Sequence, residues 1–281
     1  MDQSVIFYFS GTGNSLYVAK RLAEGLGNTR LVPVLQALEL KEKAFSYQQV
    51  GIVYPVYLNT APVPVRTFLS SFDFTKVSYL FAVATHGPAP GYPGAYVNHL
   101  LKDKGRLLDA FFNVRMTNNS PKGVAPKPLM IKNWEQYIMP GKIENMQCKA
   151  DAVIEEAISA LQEQQHTFRE VYQSEPKARG HFLTKLMWRI GESSRPKLTF
   201  LLDDTCTGCG TCQEICLSGR IKMDGRYPEW QKQIPCYYCY ACFNYCPEQA
   251  IGVKYYTKKE GRYHFPGISS REIGSQKVMG E

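Results

Sequence analysis

No stretch of the 281-residue chain is apolar for the roughly 20 residues that a helix needs to cross a bilayer. A membrane-spanning helix is therefore not expected. The start, Met1-Asp2-Gln3-Ser4-Val5-Ile6-Phe7, lacks the basic region and the cleavage site of a secretory leader. It reads as a first β-strand, and a cytoplasmic location is the expectation. Outside residues 206–246 cysteine is nearly absent, with Cys148 the one exception among nine. A secreted disulfide framework spreads its cysteines over several loops. Thiols crowded at two-residue spacing point to metal ligation instead, and Cys148 reads as an isolated structural thiol. Charged residues at 21% are ordinary and apolar residues at 44% support a sizeable core, which excludes a disordered or fibrous chain. The length fits one large domain or two smaller ones.

What is present is first an alternation. Residues 5–9 form a short apolar run rich in β-formers, followed by the turn Ser10-Gly11-Thr12-Gly13-Asn14-Ser15. Val18, Ala19, Leu22, Ala23 and Leu26 then share one helical face, closed by Gly25 and Gly27. Further strands are expected at 31–35, 50–56, 79–84 and 107–116, and helices at 63–70, 95–104 and 153–161. Strands alternating with helices imply a doubly wound parallel sheet with helices on both faces. Buried parallel strands read as continuous apolar runs, as these do. Residues 117–146, rich in Pro, Gly and Asn, look like an insertion before the last helix. The expected division is 1–165 for this α/β domain, 166–198 for a polar, basic linker, 199–256 for a small cysteine-rich α+β domain, and 257–281 for a polar tail without signal. Within the linker, Leu183, Leu186, Met187 and Ile190 make an apolar stripe, expected to pack on one of the domains. A membrane-surface or partner helix is the alternative.

The cysteine-rich segment contains a repeat. Cys206-x-x-Cys209-x-x-Cys212-x-x-x-Cys216 returns thirty residues later as Cys236-x-x-Cys239-x-x-Cys242-x-x-x-Cys246-Pro247. Zinc ribbons use C-x-x-C hooks with two ligands per hook, and four cysteines in one run do not divide that way. The radical-SAM spacing C-x-x-x-C-x-x-C is absent. The segment from about 199 to 253 resembles the bacterial ferredoxins that hold two [4Fe–4S] clusters. In that family the fourth cysteine of each run ligates the other cluster, here read as beginning a helix that points away. The resemblance implies one cluster on Cys206, Cys209, Cys212 and Cys246, and a second on Cys236, Cys239, Cys242 and Cys216. Leu217 follows Cys216 where the family usually has proline. Gly208, Gly210 and Ala241 between ligands let backbone amides approach the cluster sulfurs, and Tyr237, Tyr238, Tyr240, Phe243 and Tyr245 shield the clusters or simply fill a small core.

The turn at 10–15 combines backbone amides with a helix N-terminus, a ready anion site, and contains no Lys or Arg. It does not fit G-x-x-x-x-G-K-[ST]. Leu16 stands where a dinucleotide fingerprint has its third glycine, and no acid ends the second strand. A helix cap without ligand is the bland alternative. The turn is similar to the flavodoxin phosphate loop, [ST]-x-T-G-x-[ST]. Two later loops agree with that family: Tyr54-Pro55-Val56-Tyr57-Leu58-Asn59-Thr60-Ala61-Pro62 and Thr85-His86-Gly87-Pro88-Ala89-Pro90-Gly91-Tyr92. The resemblance implies phosphate contacts from Ser10, Thr12, Gly13, Asn14 and Ser15. It implies flavin-ring contacts from Pro55, Val56, Tyr57, Leu58, Thr85, His86 and Gly87, with Tyr57 or Tyr92 stacked on the ring. His86 reads either as a proton donor beside the flavin or, preferably, as a loop histidine bonded to backbone.

The whole chain resembles the flavodoxin–ferredoxin fusion proteins of anaerobic bacteria, sometimes called ferrodoxins. That implies an electron-transfer protein with FMN and two [4Fe–4S] clusters, exchanging electrons with ferredoxin- or flavodoxin-type donors and acceptors. A flavin-dependent reductase of a small acceptor such as a quinone or nitro compound, its pocket covered by 117–146, is the alternative. A nucleic-acid partner is not expected. The formal charge of +8 falls to roughly +2 once two clusters and a phosphate are counted, and no nucleic-acid motif is present.

Overall fold

The computed structural model describes residues 4–40, 47–57, 60–88, 90–118, 120, 138–167, 186, 200–253 and 261–278. Leu58, residues 121–137 of the expected insertion and nearly all of the expected linker lie outside the described residues. Of the linker stripe only Leu186 is described, and it is exposed.

Five strands, β1 Ser4–Tyr8, β2 Thr29–Pro33, β3 Gln49–Pro55, β4 Tyr79–His86 and β5 Ala110–Arg115, pair in parallel in the order β2-β1-β3-β4-β5. This is the flavodoxin-like doubly wound order, with its switch point between β1 and β3. Helices α1 Asn14–Leu26, α2 Val34–Leu38, α3 Val63–Ser71, α4 Pro93–Lys102 and α5 Pro140–Gln162 flank the sheet. The central strands are buried on both faces because helices cover both, so Val50, Ile52, Val53, Tyr54 and Leu80 through Ala84 carry no polar alternation. On α1, Val18, Ala19 and Leu22 are fully buried. Gly25 of α1 receives the side chain of Ile158 from α5, closely enough that a Cβ there would stand 2.7 Å from it.

Three expected boundaries shift. The second strand ends at Pro33, and Val34–Leu38 is helical. Val favours strands by propensity, but Leu favours helix, and Val34 and Ala37, three apart, are buried together on one helical face. The last helix begins at Pro140, so the end of the expected insertion belongs to it. Proline suits a first helical position, and burial starts only at Ala150, so the first turns show no apolar period. The fifth strand begins at Ala110, not at 107.

The cysteine-rich region builds β6 Phe200–Leu202 and β9 Ile251–Val253 as one antiparallel pair and β7 Ile221–Asp224 and β8 Tyr227–Trp230 as another. Two short helices, α6 Thr211–Glu214 and α7 Ala241–Asn244, pack together. Phe200, Ile221, Tyr238, Tyr240, Phe243, Ile251 and Val253 form its own small core. Ile215, Leu217, Ala241 and Tyr245 join the apolar core of the parallel sheet instead, together with Phe265, Ile268 and Ile273 from the C-terminal segment. The two units therefore share buried surface. The segment 261–278, silent in the sequence, is a built part of the fold ending in helix α8 Ser270–Gly274. The Arg262 guanidinium sits 3.9 Å over the Phe243 ring and donates to the carbonyls of Gln249 and Ile251.

Helix α8 opens on a capping box between Ser269 and Glu272. Glu272 also meets Lys20 of α1 at 2.5 Å. The Lys20 ammonium first, and the Ser269 backbone amide next, hold its carboxyl down to about 2 from the ordinary 4.5. A depressed carboxyl stabilises the fold fully above its unfolded value and stops doing so as pH falls through the folded value. Amide-exchange protection of α8 is therefore expected to hold down to about pH 4.5 and to fade toward about pH 2. In Lys20→Met protection above pH 4.5 should be lower and the fade below it smaller and complete at higher pH, and identical profiles would show that the pair does not tie α8 down.

No helix among the described residues is long and apolar enough to cross a membrane.

Candidate functional site

Four loops at the carboxyl ends of the parallel strands enclose an open cleft of about 410 Å³. The loop after β1 contributes Ser10, Gly11, Thr12, Asn14 and Ser15, and the loop after β3 contributes Pro55, Val56 and Tyr57. Thr85, His86 and Gly87 follow along β4, and Thr117, Asn118 and Ser120 follow β5. Open α/β sheets bind ligands at this place. No Asp, Glu, Lys or Arg lines the cleft among the described residues. Its anion-attracting character comes from backbone amides, hydroxyls and the N-terminal end of the 13-residue α1.

The loop side chains are largely committed to one another. The Ser10 hydroxyl accepts from the Gly13 amide at 3.2 Å. Asn14 donates to the Thr117 carbonyl at 3.0 Å and accepts from the Tyr263 hydroxyl at 3.3 Å. Ser15 and Thr85 hydroxyls bond at 2.7 Å and lock the first loop to the third. The Val56 amide donates to the Thr85 carbonyl at 2.8 Å, and Tyr57 and Thr60 exchange backbone bonds at 2.9 and 3.0 Å, which closes the middle loop into a tight turn. Asn14 thus braces the site through its side chain as well as lining it.

Two expected contacts fall elsewhere. Gly13, at φ 97°, lies under Phe265 and Ile268 and does not line the cleft. Tyr92, 48% exposed, stands at the start of α4 outside the lining, so Tyr57 is the tyrosine that the structure brings to the cleft. Thr117, Asn118 and Ser120 were absent from the sequence-derived set because they lie in a stretch with no periodicity. Their position just beyond the fifth strand was the available signal.

His86 Nδ1 lies 2.8 Å from the Gly87 carbonyl. A carbonyl only accepts, so Nδ1 carries the proton. Burial, the largest effect, and Arg115 push the ring toward its neutral form, against the Gly87 bond. A neutral ring with Nδ1–H engaged leaves Nε2 as an acceptor. This matches the loop-histidine reading better than the proton-donor reading.

The eight thiols of the repeat sort into two sets. Cys206, Cys209, Cys212 and Cys246 surround a space of about 330 Å³. Burial raises the Cys212 thiol to about 11, and its acidic neighbours are Cys246, Cys209 and Cys206. Burial raises Cys242 strongly, and the electrostatic influence of Cys216, Cys239, Cys236 and Cys212 adds to it in that order. Cys239 is likewise raised by burial, then by Cys236 and Cys216. Cys246 thus lines one space with the first three cysteines of the other run, and Cys216 acts electrostatically on Cys239 and Cys242. Both do so from a different local structure than expected. Helices α6 and α7 carry Cys212 and Cys242, and Cys216 and Cys246 come after those helices instead of starting new ones. Each helix is four residues long and gives way at Ile215 or Tyr245, so the next turn can swing its thiol across. Among the described residues, no three His, Cys, Asp or Glu side chains close on one point to hold a single ion.

Left-handed backbone recurs at the same repeat spacing. Gly208 and Gly210 have φ of 74° and 78°, and Tyr238 and Tyr240, thirty positions later, have φ of 60° and 52°. Glycine takes this conformation without cost, whereas tyrosine pays about 1 kcal/mol each. In exchange both rings are buried, 5% exposed, beside Cys236 and Cys242.

The cleft and the second thiol set share a wall. A Cβ on Gly11 would stand 2.6 Å from both the Cβ and the carbonyl oxygen of Cys239, and 2.7 Å from the Tyr57 hydroxyl. Tyr57 lines the cleft, and its phenol is raised well above 10.0 by burial, then by Cys239 and Cys236. Phe9 stands edge-on to both Tyr57 and Tyr237, at 6.4 and 6.2 Å.

No family model matches the chain, and no curated protein matches it. Solved structures do. The flavodoxin of Fusobacterium nucleatum bound to flavin mononucleotide is 17% identical, over 59% of this chain and 99% of that one, with a TM-score of 0.38. A flavoprotein of Lactobacillus acidophilus in complex with FMN is 14% identical over 40% and 93%, with a TM-score of 0.32. The rubredoxin oxygen:oxidoreductase of Desulfovibrio gigas is 18% identical over 57% of this chain, with a TM-score of 0.33, and the match spans only 37% of that protein. The flavodoxin-like fold of residues 4–162 rests on the strand order β2-β1-β3-β4-β5, read from the chain's own hydrogen bonds.

Proposed function

We propose that the chain is an electron-transfer flavo-iron–sulfur protein, with FMN in the cleft and one [4Fe–4S] cluster in each thiol set. FMN supplies one- and two-electron chemistry, and each cubane passes one electron. In this reading the loop 10–15 binds the phosphate with neutral donors and the α1 dipole. Pro55, Val56, Tyr57, Thr85, His86 and Gly87 flank the ring, and Thr117, Asn118 and Ser120 close the far side. Cys206, Cys209, Cys212 and Cys246 hold one cluster, and Cys236, Cys239, Cys242 and Cys216 the other. Tyr238, Tyr240 and Phe243 exclude water from the second set. Cys209 is exposed, so the first set reaches the surface where a ferredoxin- or flavodoxin-type partner would meet it.

The observation that carries this reading is the shared wall. Gly11 of the anion loop touches Cys239 of the second thiol set, with Tyr57 beside both. Two sites so placed fit one electron path and not two unrelated functions.

A second reading, a reductase acting on a small molecule, is favoured by Thr117, Asn118 and Ser120, which deepen the cleft beyond what three loops would make. One preparation tests both. Protein made without oxygen should contain about eight irons, matching sulfide and one FMN. Zinc in their place, or no flavin, would refute the proposal. Turnover of a quinone or nitro acceptor should be slow and unaffected by His86→Ala. Fast turnover abolished by that change would establish the reductase instead.

A further inference from the structure

The C-terminal segment grips the anion loop at both of its outward carbonyls. Gln276 is completely buried. Its Oε1 accepts from the Ser10 amide at 2.9 Å, and its Nε2 donates to the Ser10 carbonyl at 2.8 Å. Two residues along, the Phe265 amide donates to the Thr12 carbonyl at 2.8 Å. Neither Gln276 nor Phe265 lines the cleft.

In a planar trans peptide the carbonyl of one residue and the amide of the next point in opposite directions. No peptide among the described residues is cis. A Ser10 carbonyl held on Gln276 therefore turns the Gly11 amide the other way, and a Thr12 carbonyl held on Phe265 does the same for Gly13. The Gly13 amide goes to the Ser10 hydroxyl, which closes the loop on itself. The Gly11 amide is turned away from Gln276, in a residue that lines the hollow with Ser10 and Thr12. Without the clamp, the Ser10–Gly11 peptide is free to rotate and to place a carbonyl where an anion would sit.

We infer that Gln276, 266 residues from its partner, is a positioning residue that sets the amide orientation of the anion loop and so its preference for a phosphorylated flavin. This rests on the proposed flavin site. It adds that the C-terminal segment decides how much of the affinity comes from the phosphate. The same segment is bonded to the thiol-bearing unit, Tyr245 donating to the Ile268 carbonyl at 2.9 Å and Lys277 to the Gln213 carbonyl at 3.2 Å. The clamp thereby joins the loop to both units.

The test compares FMN with riboflavin, which lacks the phosphate, by fluorescence-quenching titration of the full chain with flavin removed and metal retained. Gln276→Met keeps the size of the side chain and removes both bonds to Ser10, together with a third from Nε2 to the Ile273 carbonyl at 3.1 Å. It is expected to weaken FMN by about 10- to 100-fold, from two lost buried bonds, and riboflavin by no more than about twofold on the same scale. Equal losses for both flavins, or no loss, would overturn the inference while leaving the flavin site standing. A wild-type chain that binds neither flavin would overturn both. If Gln276→Met fails to fold, Ser269→Ala decides. Ser269 is exposed and caps the helix leading to Gln276. Loss of such a cap should lower the FMN-to-riboflavin preference about threefold, and an unchanged preference would again overturn the inference.

Discussion

Gly11→Val is expected to lower the thermal midpoint by about 5–10 °C and to reduce metal in the second thiol set more than in the first. The position has no room for a side chain. A Cβ would lie 2.6 Å from two atoms of Cys239, one of them a backbone oxygen, and 2.7 Å from the Tyr57 hydroxyl. Neither neighbour yields cheaply. Ser10 and Thr12 on either side are buried at 1% and 2% exposure and are tied to Gln276 and Phe265, so the loop cannot retreat. Cys239 sits between two residues of the same short turn, Tyr238 and Tyr240, already held at positive φ. Overpacking of this kind costs about 1–3 kcal/mol, and each kcal/mol moves the midpoint of a chain this size by about 2–4 °C. Gly141→Val is the control, because a Cβ there meets nothing within 4 Å. Equal midpoints for the two variants would mean that the loop and Cys239 are not in contact in solution.

The elements that were legible in the sequence are those whose cause is local. A parallel strand covered on both faces must be apolar throughout, so β1, β3 and β4 announced themselves. The turn at 10–15 announced itself by composition, and the thiols by spacing. Features caused by distant packing were not legible. Val34 and Leu35 look like the end of a strand until Val34 and Ala37 are seen buried together. Helix α5 shows its apolar period only from Ala150, where the sheet begins to cover it. Nothing in residues 261–278 marks Gln276 or Phe265, because one buried amide and one backbone bond leave no pattern, and a five-residue helix has no period to read. Gly11 was visible as part of a glycine turn, but the reason for glycine, the approach of Cys239 from more than two hundred residues away, was not. The sequence repeat did hold one unused hint: Gly208 and Gly210 align with Tyr238 and Tyr240, so a left-handed backbone at the glycines foretold one at the tyrosines.

With the proposed clusters bound, Cys246→Ala is expected to remove the iron of the first run, not of its own. The reason is geometric. Cys246 lines the same space as Cys206, Cys209 and Cys212, whereas Cys216 acts electrostatically on Cys239 and Cys242. About four of eight irons should be lost in either single variant, so iron content alone does not separate the crossed from the uncrossed arrangement. Pairing does. Adding Cys209→Ala to Cys246→Ala should cost no further iron, because both changes strike one site, while adding Cys239→Ala should remove the remainder. Non-additivity marks residues acting on a common site. The two singles should also differ at the flavin. Cys239 lies directly behind Gly11, which lines the cleft with Tyr57, so emptying its site through Cys216→Ala should loosen FMN by a few-fold, about 1 kcal/mol at most. Cys246→Ala should leave FMN affinity unchanged, since the atoms nearest Gly11 belong to Cys239 and Tyr57 and none to the first thiol set. Reversal of either outcome, with Cys209→Ala adding to the loss in Cys246→Ala or with FMN weakened by Cys246→Ala alone, would mean that the fourth thiols do not cross, and that the wall between flavin and metal is built from the other set.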